Sequence, residues 1–264
     1  MDNSSTSIIV FGASGRMGRR IVALAMEGRE FALRAAVVRD SSSRAGERIA
    51  PVSAPASLSA VPSAAASITL KTAKTLGNTP LSADVVIDFS SDAGAPHALA
   101  LAQRAGSALL VGTTALSDRS IAALKAASAS CAVLVTPNTS LGVALLSVLV
   151  QHAARALGPE YGCSIVEAHH SAKKDAPSGT ALRLASAARD AGHALRDDQI
   201  LALRGGDVIG EHTVRFAGPG EYLELTHRAT TRDLFARGAL HCAAWLKGRP
   251  PGWYTMHDVI ELPT

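Results

Sequence analysis

Cysteine, aromatic side chains and long apolar runs are all scarce in this sequence, and each scarcity removes a class of protein. The three cysteines, Cys131, Cys163 and Cys242, are an odd number with no close pair and no metal-ligand spacing. Buried free thiols are therefore expected rather than a disulfide frame or a metal site. Aromatic residues make up 4% of the chain and do not interleave with clusters of Lys and Arg, and the net charge is only +4. No nucleic-acid surface is expected; a small anionic ligand accounts for the balance better. Although 47% of residues are apolar, the runs are broken by Gly, Pro, Ser or charge, and none nears the roughly 20 residues of a membrane span. The opening MDNSST carries an acid and no basic stretch, which argues against a signal peptide and for a soluble, cytoplasmic protein.

What is present reads as two domains, a size that 264 residues can support. Ser7 to Phe11 predicts a strand, GASGRMG a turn, and the apolar period from Ile21 to Ala25 a helix. Phe31 to Val38 fits the next strand of a parallel sheet covered on both faces. From Ser41 to Pro80 the Ala-, Ser- and Pro-rich sequence predicts mostly loop with one short helix. Regular alternation resumes: strands at 84–89, 108–112 and 132–136, and helices at 95–105 and 120–128. This is the pattern of a doubly wound α/β sheet. Beyond a boundary near Ser140 come a long helix, Gly142 to Leu157, and strands with half-exposed alternation. Val214 and Phe216 share one side, as do Leu223 and Leu225. A second α+β domain with a mixed open sheet is expected over 141–240. A helix from Leu234 to Leu246 and a run from Val259 to Leu262 close the chain.

Gly12, Gly15 and Gly18 stand between a strand and a helix, where glycine lets backbone approach a pyrophosphate. An ordinary strand-to-helix turn can have the same spacing. At the end of the second strand, where an acid commonly binds the adenosine ribose, stand Val38 and then Arg39. Arg39 can meet a 2′-phosphate or be a solvated charge, and Asp40 can be a turn residue. The densest chemistry lies in EAHHSAKKDAPSGTA, Glu167 to Ala181. It follows a strand read as Cys163 to Val166 and precedes a helix that Ser178 can cap. Two histidines, two lysines and an aspartate offer proton transfer, and the Ser-Gly-Thr turn offers amides to an anion. The His-His-x-x-Lys spacing is not that of metal ligands, because an ammonium cannot ligate.

That segment resembles the signature of the dihydrodipicolinate reductase family. GASGRMG, Asp88-Phe89-Ser90, Gly112-Thr113-Thr114, Pro137-Asn138-Thr139-Ser140, RGGDVIGEHTV and LELTHRA are similar to that family in the same order. The resemblance implies a Rossmann-like doubly wound sheet joined to the mixed-sheet domain, with residues 241–264 returning to the first. It implies NAD(P)H-dependent reduction of 4-hydroxy-tetrahydrodipicolinate, a cyclic dicarboxylate, in lysine and diaminopimelate biosynthesis, with hydride delivered to ring C4. His169 would be the acid/base residue and Lys173 the proton donor, with His170, Lys173, Ser178, Gly179 and Thr180 on the substrate. The dinucleotide, NADPH in preference to NADH, would touch Gly12, Ala13, Ser14, Gly15, Arg16, Met17, Arg39, Gly112, Thr113, Thr114, Thr136, Pro137, Asn138 and Thr139. A homotetramer with paired second-domain sheets is the expected assembly.

The sequence also departs from the family pattern. Val38 stands where many members have an acid, Thr139 where Phe or Met is usual, and Ala115 where Gly is common. The stretch from Ala191 to Arg204 lacks an arginine- and glycine-containing loop of many members. Two other readings share the sequence features: a reductase of another cyclic imine or enamine carboxylate, and a Rossmann protein that senses NADP without catalysis.

Overall fold

The computed structural model describes residues 5–49, 67–77 and 81–260. The first body begins with β1 (Thr6–Phe11), α1 (Arg16–Glu27), β2 (Phe31–Val38), β3 (Arg48–Ile49), β4 (Ile68–Thr72) and α2 (Ala73–Leu76). It continues with β5 (Val85–Asp88), α3 (Ala95–Ala105), β6 (Ala108–Val111), α4 (Asp118–Ala127) and β7 (Ala132–Val135). Strands buried on both faces explain the unbroken apolar runs: Ile8, Ile9, Val10, Val85, Val86, Ile87, Leu109 and Leu110 are all fully buried. The helices between them stop where the sequence dictates. α3 ends at Gly106 in the left-handed conformation, φ 62°, and α4 starts at Ser117, whose side chain accepts from the Ser120 N–H. Within residues 41–80 the expected helix is α2, but β3 and β4 also form there; residues 50–66 and 78–80 lie outside the described residues.

Among the described residues the second body comprises Ser140–Leu234 and Ile260. Its elements are α5 (Leu141–Leu157), β8 (Gly162–His169), α6 (Gly179–Asp190), β9 (Ile200–Arg204), β10 (Glu211–Gly218) and β11 (Glu221–Arg228). The sheet order is β11-β10-β8-β9, antiparallel except for the β8–β9 pair. Register sets Val214 opposite Leu225 and Ile165, and Phe216 opposite Leu223 and Cys163. Of these, Cys163, Ile165, Val214, Phe216 and Leu225 pack with Leu146, Val150 and Ala154 of α5 and Ala181, Leu184 and Ala188 of α6. Burying a side chain such as Phe216 or Ile165 contributes about 1.5–3 kcal/mol. The other face keeps Leu201 and Leu203 more than half exposed, at 55% and 58%.

The chain then returns to the first body with α7 (Asp233–Leu246), β12 (Gly252–Tyr254) and α8 (Met256–Val259). This return begins at Phe235, earlier than the expected residue 241. Thr139 explains the early start: its hydroxyl donates to the Phe235 carbonyl at 2.7 Å, and its own carbonyl fills the space where Gly238 has no Cβ. β12 pairs with β7 and completes an eight-stranded sheet, β12-β7-β6-β5-β1-β2-β4-β3, parallel throughout except at β3. The expected closing run from Val259 is instead the last residue of α8 and its sequel; residues 261–264 lie outside the described residues.

Candidate active site

In the first body the strand order reverses between β1 and β5, and the crevice at the carboxyl ends of such strands is where open α/β sheets take ligands. Gly12 follows β1 with φ +76°, and a Cβ there would lie 2.2 Å from the Phe89 carbonyl oxygen. A Cβ on Gly18 would lie 2.1 Å from the Gly12 oxygen. Two backbones therefore meet where any side chain would part them. The Ala13 N–H donates to the Val37 carbonyl at 3.0 Å, and the Gly15 N–H closes the turn onto the Gly12 carbonyl at 2.9 Å. Gly15 and Arg16 are exposed, while Ser14 and Met17 are half-buried. Gly15 caps α1 without a side-chain hydrogen bond, and no acid stands in the first turn, so the helix end is suited to phosphate. This cradle fits a dinucleotide.

The other expected cofactor residues follow the same edge. Arg39 is exposed directly after β2, whereas Asp40 accepts from the Lys74 N–H at the start of α2, 3.3 Å away. Gly112 follows β6 and packs on the Phe89 ring, where a Cβ would lie 2.1 Å from Cζ. The Thr113 hydroxyl turns inward and donates to Asp88 at 2.8 Å. Asp88 is fully buried; burial raises its pKa, against the pull of hydrogen bonds from Ser90 and Thr113. Thr114 is exposed, and Ala115 after it has φ 55°, a conformation glycine adopts more readily. Thr136 is buried with its hydroxyl on the Asn138 carbonyl at 2.8 Å, Pro137 is exposed and Asn138 half-buried. Thr139 is 1% exposed, and its side chain ties this edge to α7.

In the second body β8 runs three residues further than expected and ends at His169, which is therefore held by the sheet and not by the loop. Alternation turns Glu167 and His169 inward, with 0% and 9% exposure. The His169 Nδ1 lies 2.5 Å from the Glu167 Oε2. Arg204, at the end of β9, forks onto both carboxylate oxygens at 2.9 and 2.8 Å, and the Ser178 N–H donates to Oε1 at 3.0 Å. Burial would raise the Glu167 pKa, but the bonds from Arg204, His169 and Ser178 outweigh it and hold the carboxyl below its usual range. For His169, burial pushes the pKa down and Glu167 opposes.

Ser178, 2% exposed, is engaged within the protein as the α6 cap: its hydroxyl accepts from the Ala181 N–H at 3.1 Å and meets the His212 Nε2 at 3.1 Å. Gly179 is exposed and Thr180 half-buried at the start of that helix. Lys173 binds both oxygens of Asp175, at 2.8 and 2.7 Å. His170 is half-buried and lines a cavity with Ser171, Gly206, Asp207 and Arg232. The Ser171 N–H donates to the Gly206 carbonyl at 3.1 Å and the Gly205 N–H to the His169 carbonyl at 3.0 Å, which tie this loop to the one after β9.

Sequence reasoning missed Glu167 as a partner, Arg204, Arg232 and His212. Arg204 sits 37 residues from its carboxylate, and no local spacing announces such a pair. His212 is buried on β10, and burial lowers its pKa to about 4, so it is neutral. Glu167, His169 and His212 bring metal-capable atoms within 4.8 Å of one another, but the Arg204 guanidinium already stands against the carboxylate as its cation.

Parallel strands that end together round a glycine turn, and a second body built on a carboxylate-held histidine, are the two halves of an NAD(P)H-dependent oxidoreductase of the Rossmann class. Residues 6–139 match the family described as dihydrodipicolinate reductase, N-terminus, and residues 142–260 its C-terminus. The 4-hydroxy-tetrahydrodipicolinate reductase of Xanthomonas euvesicatoria pv. vesicatoria is 44% identical over 260 residues, covering 98% of this chain and 100% of that protein. The Anaeromyxobacter dehalogenans protein of the same name is 42% identical over 97% of this chain and 98% of its own. A dipicolinate-bound dihydrodipicolinate reductase from Paenisporosarcina sp. TG-14 shares the fold, with TM-score 0.73, 19% identity and 97% and 100% of the two chains covered. The chain belongs to the dihydrodipicolinate reductase family.

Proposed function

We propose that the protein reduces 4-hydroxy-tetrahydrodipicolinate to tetrahydrodipicolinate with NADPH in preference to NADH, in lysine and diaminopimelate biosynthesis. The observation that carries the reading is His169, held through Nδ1 by a buried carboxylate in the body whose helix α6 opens with an exposed glycine. The dinucleotide, when bound, supplies a hydride to the ring. Gly12, Ala13, Ser14, Gly15, Arg16 and Met17 hold its pyrophosphate, Arg39 its adenosine phosphate, and Gly112, Thr114, Pro137 and Asn138 line its course. Gly179 and Thr180 bind one substrate carboxylate at the positive end of α6, and His170, Lys173 and Arg232 offset the remaining charge. Lys173 donates the proton and His169 serves as acid/base partner. Fixed orientation is the main contribution of such a site.

The test is loss of the reduced-nicotinamide absorbance when 4-hydroxy-tetrahydrodipicolinate is added. Pyridine-2,6-dicarboxylate should inhibit competitively, and Thr180→Val should weaken that inhibition. Absence of both turnover and inhibition would overturn the reading.

The exposed sheet face of the second body supports a homotetramer. Leu201 and Leu203 of β9 lie beside Val166 and Ala168 of β8 on that face, an apolar surface of the kind that pairs with a copy of itself. Leu203→Glu should lower the mass seen by sedimentation equilibrium; a monomeric wild type would contradict the assembly.

A further inference from the structure

We propose that Glu167, braced by Arg204, is a positioning residue that fixes the tautomer of His169 and makes Nε2 its proton-transferring nitrogen. The inference rests on the acid/base role given to His169 above and assigns the atom that performs it. Three observations meet here. First, Nδ1 lies 2.5 Å from a carboxylate oxygen; a carboxylate held ionised can only accept, so that nitrogen carries hydrogen in both the neutral and the charged ring. Second, the Glu167 carboxylate cannot turn away. Two guanidinium nitrogens and the Ser178 N–H hold both its oxygens, and the side chain is fully buried. Third, Nε2 faces Gly210, where a Cβ would lie 3.1 Å from it. The missing side chain leaves room beside that nitrogen.

Proton balance follows directly. The imidazolium gives up its Nε2 proton and is left as the Nδ1–H tautomer, still donating to Glu167; the reverse step restores it. Charged and titratable groups act on the ring from four elements. Glu167 stands on the same strand, Lys173 on the following loop, Arg204 on β9, and neutral His212 on β10 edge-on with ring centroids 5.1 Å apart. Lys173 and Arg204 disfavour the imidazolium; Glu167 is the only one of these groups that favours it. Removing its charge must lower the pKa of His169, so activity that needs the protonated ring is lost at a lower pH.

The experiment compares wild type, Glu167→Gln and Gly210→Ala in the full-length protein by pH–rate profile and by nitrogen NMR of the histidine rings. Wild type should show the Nδ1–H tautomer. Glu167→Gln should lower kcat on the order of 10²-fold or more, leave the KM for both substrates unchanged, and move the alkaline limb to lower pH. Gly210→Ala should lower kcat without moving that limb. A residue that served folding alone would reduce active protein at every pH with the limb in place, which would overturn the proposal. So would an Nε2–H tautomer in wild type, or full turnover in Gly210→Ala, and both remain decisive if Glu167→Gln does not fold. Wild-type turnover in His169→Gln would instead remove the role on which the inference rests.

Discussion

Replacing His169 by Gln or Lys173 by Ala is expected to lower turnover by roughly 10²- to 10⁴-fold each, the usual contribution of a general acid or base. Dinucleotide affinity should hold, because both residues belong to the second body and the glycine edge to the first. The two substitutions remove different things. His169 is 9% exposed and fastened by Glu167, so its loss empties a preorganised position that water fills poorly. Gln keeps the approximate volume and a polar end without an exchangeable proton of useful acidity. Lys173 lies on the loop, paired with Asp175, whose side chain is 60% exposed. That pair is weak in stability terms because solvent screens it, and a substrate carboxylate can displace Asp175 at little cost. Lys173→Ala should therefore fold normally and raise the KM for substrate as well as lower kcat. Steady-state rates with a fluorescence titration of NADPH make the comparison, and wild-type turnover in both variants would remove the proposed roles.

The second large effect concerns cofactor choice. An acid at the end of the second strand favours NADH by accepting from the ribose hydroxyls and repelling a 2′-phosphate. Val38 holds that place, 3% exposed, and the next acid, Asp40, is engaged by the Lys74 N–H. Among the described residues the strand end itself carries no carboxylate, and Arg39 stands exposed one residue on. A charge-assisted contact contributes about 1.5 to 3 kcal/mol, so the preference for NADPH should be roughly ten- to a hundredfold and should vanish in Arg39→Ala. The ratio of kcat/KM for the two cofactors measures it. Equal use by wild type, or a preference that survives Arg39→Ala, would put the adenosine phosphate elsewhere.

Much of this architecture is legible in the sequence because local rules set it. Ser178 caps α6, accepting from the Ala181 N–H, as follows from a polar residue before an apolar period. The end of β8 was not legible, for a physical reason. Glu167 and His169 occupy the inward positions that a strand pattern reserves for apolar side chains, and their burial is made tolerable by their mutual contact, by Arg204 and by the Ser178 N–H. Reading polarity as loop therefore stopped the strand at Val166. β3 and β12 escape notice because two and three residues carry no period; pairing with β4 and β7 makes them strands. Thr113, Thr136 and Thr139 show the same limit at the carboxyl edge of the first sheet, where a motif places a residue at the end of a strand but the direction of its hydroxyl depends on partners such as Asp88 and Phe235.

The return of the chain through β12 also sets an order on its synthesis. A ribosome releases β1 to β7 first, and these can pair as they emerge. The outer edge of β7 then stays unpaired until the whole second body and α7 have been made, since its partner strand is encoded last among the strands. During that interval Ala132, Val133 and Leu134 present an apolar edge with open backbone groups, the feature that invites pairing with another chain. Gly252, Trp253 and Tyr254 close it.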